Sequence, residues 1–82
     1  MKILSQKISL LSDIQEGTSC QVVGIHTQGM LLEKLLDMGF IKGAEILILR
    51  EAPLKDPIQV KIHNYTLSLR KSEADLIEVK SL

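Results

Sequence analysis

The fold of this chain is decided by the stretch Leu35-Leu36-Asp37-Met38-Gly39-Phe40-Ile41-Lys42-Gly43-Ala44-Glu45-Ile46. A leucine-rich helical pattern runs into Gly39, Gly43 follows four residues later, and an apolar run rich in isoleucine then begins. Gly39 is expected in a left-handed conformation at the end of the helix, because a residue without Cβ escapes the steric penalty there. The stretch therefore predicts a helix end, a chain reversal and the start of a strand.

An amphipathic helix is predicted upstream of this point, from residue 28 to 38, by apolar residues that recur at intervals of three and four. Thr27 is the expected N-cap. The helical residues expected to pack in the core are Leu31, Leu35 and Met38. Those expected to stay exposed are Met30, Leu32 and Leu36. Exposed apolar side chains on a small protein often mark a partner surface.

Short strands account for most of the remaining chain. Turn residues and alternating apolar positions predict about five strands. The predicted spans are 19–25, 44–50, 58–63, 66–70 and 77–80. A loop at 52–57, a reversal at Asn64-Tyr65 and a helical turn capped by Ser72 connect the later ones. The expected fold class is mainly β with a helical insertion, in the form of a small, strongly bent antiparallel barrel.

Composition narrows the possible functions. We expect the 82 residues to form one domain, residues 1–82. Ten basic and ten acidic residues cancel, and only two residues are Phe or Tyr, so nucleic-acid binding is not expected. A single cysteine, no apolar run long enough to span a membrane and no secretion signal at the N-terminus predict a cytoplasmic protein without membrane insertion.

No catalytic or phosphate-binding motif is present in the sequence, so no enzyme activity and no cofactor are predicted. Metal binding is not favoured either. Cys20 and His26 have the same strand parity, but six extended residues separate them by about 20 Å, which one ion cannot bridge. Cys20 is expected to be a buried small hydrophobe and His63 an exposed side chain. Asp56 is expected to stabilise a turn rather than to act as an acid or base.

At this point the chain resembles the FeoA family, the small cytoplasmic proteins of bacterial ferrous-iron uptake. The resemblance extends from about residue 9 to residue 79. It rests on the order and spacing of several short pieces, namely Leu10-Leu11-Ser12-Asp13-Ile14 with Gly17, Val22-Val23-Gly24-Ile25, Leu35-x-x-Met38-Gly39-Phe40-x-x-Gly43, Ala52-Pro53-x-x-Asp56-Pro57-Ile58, Leu67-Ser68-Leu69-Arg70 with Glu73-Ala74, and Ile77-Glu78-Val79. It implies an SH3-like barrel with a helical insertion.

The resemblance also implies a partner, the cytoplasmic GTP-binding region of the membrane transporter FeoB, which FeoA-like proteins assist or regulate. The hypothetical partner surface combines the helix with the 52–57 loop. Its residues are Met30, Leu32, Leu36, Phe40, Pro53, Leu54, Lys55 and Asp56. Structural turns are assigned to Gly17, Gly39, Gly43 and Pro57. Arg50 and Arg70 fall in or at the ends of predicted strands, so neither is an obvious arginine finger.

Two other functions stay open. One is a generic SH3-like module that binds a peptide or RNA. The other is a metal-responsive iron sensor domain. The apolar helix could in addition mediate weak self-association.

Overall fold

The computed structural model describes residues 8–82, and describes Glu51 and Lys55 by their backbone only. Its strands are β1 (Ile8–Leu10), β2 (Ser19–Ile25), β3 (Glu45–Glu51), β4 (Ile58–Ile62), β5 (Tyr65–Leu69) and β6 (Ile77–Ser81). Its helices are α1 (Gly29–Asp37) and α2 (Lys71–Ala74), and short 3-10 segments span Leu11–Asp13 and Pro53–Lys55. The part of the single-domain prediction that concerns Met1–Lys7 lies outside the described residues. Neither helix of the described chain has the length and apolarity to cross a membrane.

The strands form one antiparallel sheet in the order β1-β6-β2-β3-β4-β5. The register shifts between Val22 and Gly24 in β2 and between Ile48 and Arg50 in β3. Such bulges bend a strand and increase its twist. The predicted class, mainly β with a helical insertion, is therefore confirmed. The described chain has six strands rather than about five, because β1 also pairs with β6, and three residues are too few to show alternation in sequence.

The core is aliphatic and lies on one face of this bent sheet. Strand β4 shows the alternation most clearly, with Ile58, Val60 and Ile62 buried and the residues between them exposed. Leu11, Cys20, Leu35, Phe40, Leu69 and Ile77 are among the other fully buried residues of the same cluster. Residues from every strand except the edge strand β1, and from both helices, therefore meet in one core.

Helix α1 ends in the way that the deciding stretch predicts. Gly39 has a φ of 106°. Its N–H donates to the carbonyl of Leu36 at 3.0 Å, and the N–H of Phe40 donates to the carbonyl of Leu35 at 3.1 Å. These two bonds form a Schellman motif, which satisfies carbonyls that a helix end otherwise leaves without partners. The motif turns the chain inward, so that Phe40 is fully buried.

The β4–β5 hairpin packs directly on this helix end. The Tyr65 hydroxyl donates a hydrogen bond to the carbonyl of Met38. The rings of Tyr65 and His63 lie 6.1 Å apart, and a Cβ on Gly39 would be 2.9 Å from the Tyr65 hydroxyl oxygen and 3.1 Å from the His63 ring. A side chain at this position would have to displace both rings. Gly39 is therefore favoured both by its backbone angle and by the close approach of the hairpin.

The reversal after Gly39 is tied to strand β2. The N–H of Gly43 donates to the carbonyl of Val22 at 2.8 Å, and the N–H of Val22 donates to the carbonyl of Ala44 at 2.9 Å. Gly43 has a φ of 92°, and nothing lies within 4 Å of the place that a Cβ would occupy. The turns predicted at Gly17, Gly39 and Gly43 are present, and Pro57 follows a cis peptide bond in its loop.

Three local predictions were wrong by one or two residues. Thr27 is not the N-cap of α1, because the helix begins at Gly29 and Gln28 precedes it without a capping side-chain bond. The β4–β5 reversal is at His63-Asn64, and His63 rather than Asn64 has the positive φ, 55°. Ser72 lies inside α2 and does not cap it, because the helix begins one residue earlier and acidic side chains supply its N-terminal bonds.

Substituting Gly39 with alanine is expected to lower the free energy of unfolding by about 2–4 kcal/mol, because the new Cβ meets both an unfavourable φ and two rings. Gly43→Ala is the matched control, since it has a positive φ but open space, and should cost about 1–2 kcal/mol. Urea denaturation of both variants measures the difference. Equal losses would show that the close approach of Tyr65 and His63 contributes nothing.

Candidate partner-binding surface

The exposed apolar residues of α1 are the first part of the candidate surface. Met30 is 87% exposed and Leu36 is 41% exposed, while Leu32 is half-buried. Leu35 is fully buried, and Leu31 and Met38 pack against the core cluster. The helix therefore has an inner and an outer set of apolar side chains, as predicted, with Leu32 between them.

Phe40 was wrongly placed on this surface. Its side chain has no solvent exposure, because the Schellman motif directs it into the core beside the helix it follows. Phe40 can therefore contribute to a partner surface only by holding α1 in position.

Helix α2 connects α1 to the rest of the candidate surface. The Lys34 ammonium lies 2.7 Å from Oε2 of Glu73, and the other carboxylate oxygen of Glu73 accepts a hydrogen bond from the N–H of Arg70 at 2.9 Å. The hydrogen bond from Lys34 is the largest cause that holds the pKa of Glu73 below its ordinary range; burial opposes it, and the hydrogen bond from the N–H of Arg70 adds a smaller lowering effect. One carboxylate thus caps α2 and ties it to α1.

The loop at 52–57 is joined to the first residue of α2. The Asp56 carboxylate accepts a hydrogen bond from the N–H of Lys71 at 3.1 Å, and the N–H of Ala52 donates to the carbonyl of Pro57 at 3.2 Å, which closes the loop at its base. Asp56 was predicted to stabilise a turn; instead its carboxylate links the loop to α2, since its partner is 15 residues away. Helix α1 and the loop are therefore both bonded to the N-terminal part of α2.

The tip of this loop is apolar and exposed. Leu54 is 93% exposed, Pro53 is exposed as well, and Leu54 has a left-handed backbone with φ 68° and ψ 12°. For a side chain other than glycine this conformation costs about 1–2 kcal/mol. The Lys55 side chain, which belongs to the predicted surface, lies outside what the structure describes.

The structure does not bring the potential metal ligands together. Cys20 is buried, and burial raises the pKa of its thiol to about 11. His26 faces Glu78, with Nε2 and Oε1 3.5 Å apart, and His63 lies against the ring of Tyr65. With the side chain of Glu51 left aside, residues 8–82 contain no group of three His, Cys, Asp or Glu side chains that could hold a metal ion.

Several residues that organise this surface gave no signal in the sequence. Lys34 and Glu73 are 39 residues apart, and Tyr65 and Met38 are 27 apart. A spacing of three from Arg70 to Glu73 could have indicated half of a capping box, but Arg70 is not a residue that caps helices. Contacts of this kind follow from the topology, not from local pattern.

Comparison with known proteins identifies the family. The model of the FeoA domain matches residues 10–81. This chain belongs to the FeoA family. A relative from Porphyromonas gingivalis, the Fe(2+) transport protein A/Fe(2+) transporter FeoB fusion protein, is 36% identical over 70 residues, which are 85% of this chain and 8% of that protein. The chain therefore spans a small part of that FeoA–FeoB fusion.

Two solved FeoA structures have the same fold. Iron(II) transport protein A from Clostridium thermocellum is 46% identical, with a TM-score of 0.86, and the match covers 90% of this chain and 46% of that one. FeoA from Stenotrophomonas maltophilia, solved in complex with zinc and described as a prokaryotic SH3 domain protein, is 28% identical with a TM-score of 0.76. That match covers 87% of this chain and 88% of the other. The predicted SH3-like class is thereby confirmed for this FeoA chain.

The ion pair between α1 and α2 should make the stability of this FeoA chain depend on pH. Because the folded pKa of Glu73 is lowered, its stabilising effect is complete above its ordinary value near 4.5 and is lost as the pH falls through the folded value. Lys34→Met removes the main cause and should reduce the loss of stability between pH 7 and pH 3. Urea midpoints at both pH values measure this, with Lys61→Met as the control.

The pKa of Asp75 is also lowered, mainly by the hydrogen bond from the Ser12 hydroxyl. Asp75 therefore adds a similar pH dependence of stability to the wild type, to Lys34→Met and to Lys61→Met. The test is therefore the difference between variants. An unchanged pH dependence in Lys34→Met would show that the pair contributes nothing.

Cys20 should be unreactive in the folded protein. Its buried thiol, with a pKa of about 11, provides very little thiolate at pH 7.5. We expect iodoacetamide to alkylate the native protein at least about tenfold more slowly than the protein in denaturing urea, as followed by mass spectrometry. Similar rates in both states would contradict the buried position.

Proposed function

We propose that this FeoA-family chain is a cytoplasmic accessory protein of bacterial ferrous-iron uptake that binds the GTP-binding domain of a FeoB-type transporter. The observation that carries the proposal is the Porphyromonas gingivalis fusion protein, in which a related FeoA sequence and FeoB belong to one polypeptide. Fusion raises the effective concentration of two domains for each other, which is useful when the domains act together. Domains that are fused in one organism therefore commonly associate as separate chains in another.

The surface proposed for this binding is the α2 junction, defined as the outer side of α1, helix α2 and the loop at 52–57. Its apolar groups are Met30, Leu36, Pro53 and Leu54, all exposed. Among its charged groups, Lys34 is paired with Glu73, and Lys71 lies 3.3 Å from Asp75. Exposed apolar side chains beside ion-paired charges suit a protein partner, since protein interfaces combine apolar anchors with a polar rim.

The proposed role is regulatory and not enzymatic. Arg50 lies within β3 and Arg70 directly precedes α2, where its N–H is bonded to Glu73. An arginine finger needs a side chain that can be inserted beside the transferred phosphate of a partner's nucleotide. We therefore assign the effect of this protein on the transporter to binding and not to a catalytic side chain.

The double variant Met30→Lys/Leu36→Lys should weaken binding to the soluble G-domain of the cognate transporter by more than about tenfold, because two exposed apolar groups become charged. The urea midpoint should change little, since neither side chain is in the core. Isothermal titration calorimetry measures the affinity of each protein for the G-domain, once with GDP and once with a non-hydrolysable GTP analogue bound to that domain.

Ile8→Lys is the matched control, because Ile8 is similarly exposed, at 49%, but lies on β1 outside the α2 junction. Wild-type protein that fails to bind the G-domain in either nucleotide state would refute the proposed function. Normal binding by the double variant would refute only the role of α1.

A further inference from the structure

Leu54 combines two features that its own fold does not explain. Its backbone is left-handed, which favours glycine or asparagine, and its side chain is 93% exposed to water. Strained residues persist where the surrounding structure enforces them, and they concentrate at functional sites. A leucine at this position stabilises neither its turn nor the core of the domain.

The loop holds Leu54 in a fixed position. Pro53 restricts the backbone on one side, and the bond between the N–H of Ala52 and the carbonyl of Pro57 closes the base. The carboxylate of Asp56 fastens the loop to the first residue of α2. The side chain is thus presented without much loss of backbone freedom on binding, and preorganisation of this kind increases affinity.

We infer that Leu54 is the anchor residue of the interface: its side chain inserts into an apolar pocket on the transporter's G-domain. This inference rests on the proposed function and specifies the contact. Interfaces derive most of their affinity from a few side chains that fill pockets in the partner. Leu54 belongs to the α2 junction, and its loop is bonded through Asp56 to α2, which is bonded in turn to α1.

A protein pocket fits this side chain better than a lipid surface or a nucleic acid. The residues at 52–57 contain one lysine, one acidic residue and no aromatic residue. Membrane-surface binding relies on clusters of basic and aromatic side chains, and nucleic-acid binding on a basic patch. One aliphatic group on a rigid loop of balanced charge supplies neither.

The test compares wild type with Leu54→Ala and Leu54→Gly in the full chain. Both variants lose the side chain, but only glycine also relieves the left-handed backbone. Both should therefore bind the G-domain at least about tenfold more weakly in calorimetry. The urea midpoint of Leu54→Gly should be equal to or above that of Leu54→Ala. Ile8→Ala, which removes a similar side chain from β1, should bind as wild type does.

The possible results separate this inference from the proposed function. If wild type binds and both variants bind equally well, the inference is overturned and the proposed function stands. If wild type does not bind the G-domain, both are overturned. A large drop in the urea midpoint of both variants would show that Leu54 stabilises the fold, which also overturns the inference. The inference is also overturned if both variants abolish self-association of this chain, measured by analytical ultracentrifugation, but leave G-domain binding unchanged.

Discussion

The close approach between the end of α1 and the β4–β5 hairpin is the contact on which the rest of the structure depends. A glycine suits it best, because a Cβ on Gly39 would displace the Tyr65 hydroxyl and the His63 ring. The same residue reverses the helix end and sends Phe40 into the core. One glycine thus sets where the helix lies, which of its leucines are buried and where the next strand begins.

Helix α2 has a complementary role, although it has only four residues. It is too short to be stable through its own hydrogen bonds, so side chains from elsewhere supply what it lacks. Glu73 bonds within the helix and to α1, while Asp56 bonds to it from the loop. The same few bonds stabilise the helix and link it to its neighbours, so polar contacts position the candidate surface together with the core residues Leu35 and Ala74.

Local pattern was sufficient for the elements and insufficient for their contacts. The span of β2, the end of α1 at Gly39 and the alternation in β4 follow from spacing that a few neighbouring residues display. The caps of α1 and α2 were misplaced, because α1 begins without a capping side-chain bond and α2 receives one of its N-terminal bonds from Asp56, 15 residues away. Phe40 was put on the surface for the same reason: the sequence shows that it follows the helix, but its burial depends on the sheet beneath.

The pairing of β1 with β6 has a consequence for how this domain can be attached to other molecules. Ile8 is opposite Lys80, whereas Leu10, opposite Glu78, leads toward the Ser12–Asp75 contact beside α2. The two ends of the described chain therefore leave side by side, at the end of β6 that lies away from α2, roughly 13 Å along the strand. A tether, an affinity tag or a fused domain attached directly at Ile8 or Leu82 would leave the opposite pole free, and a linker of adequate length would let that pole fold back onto its target.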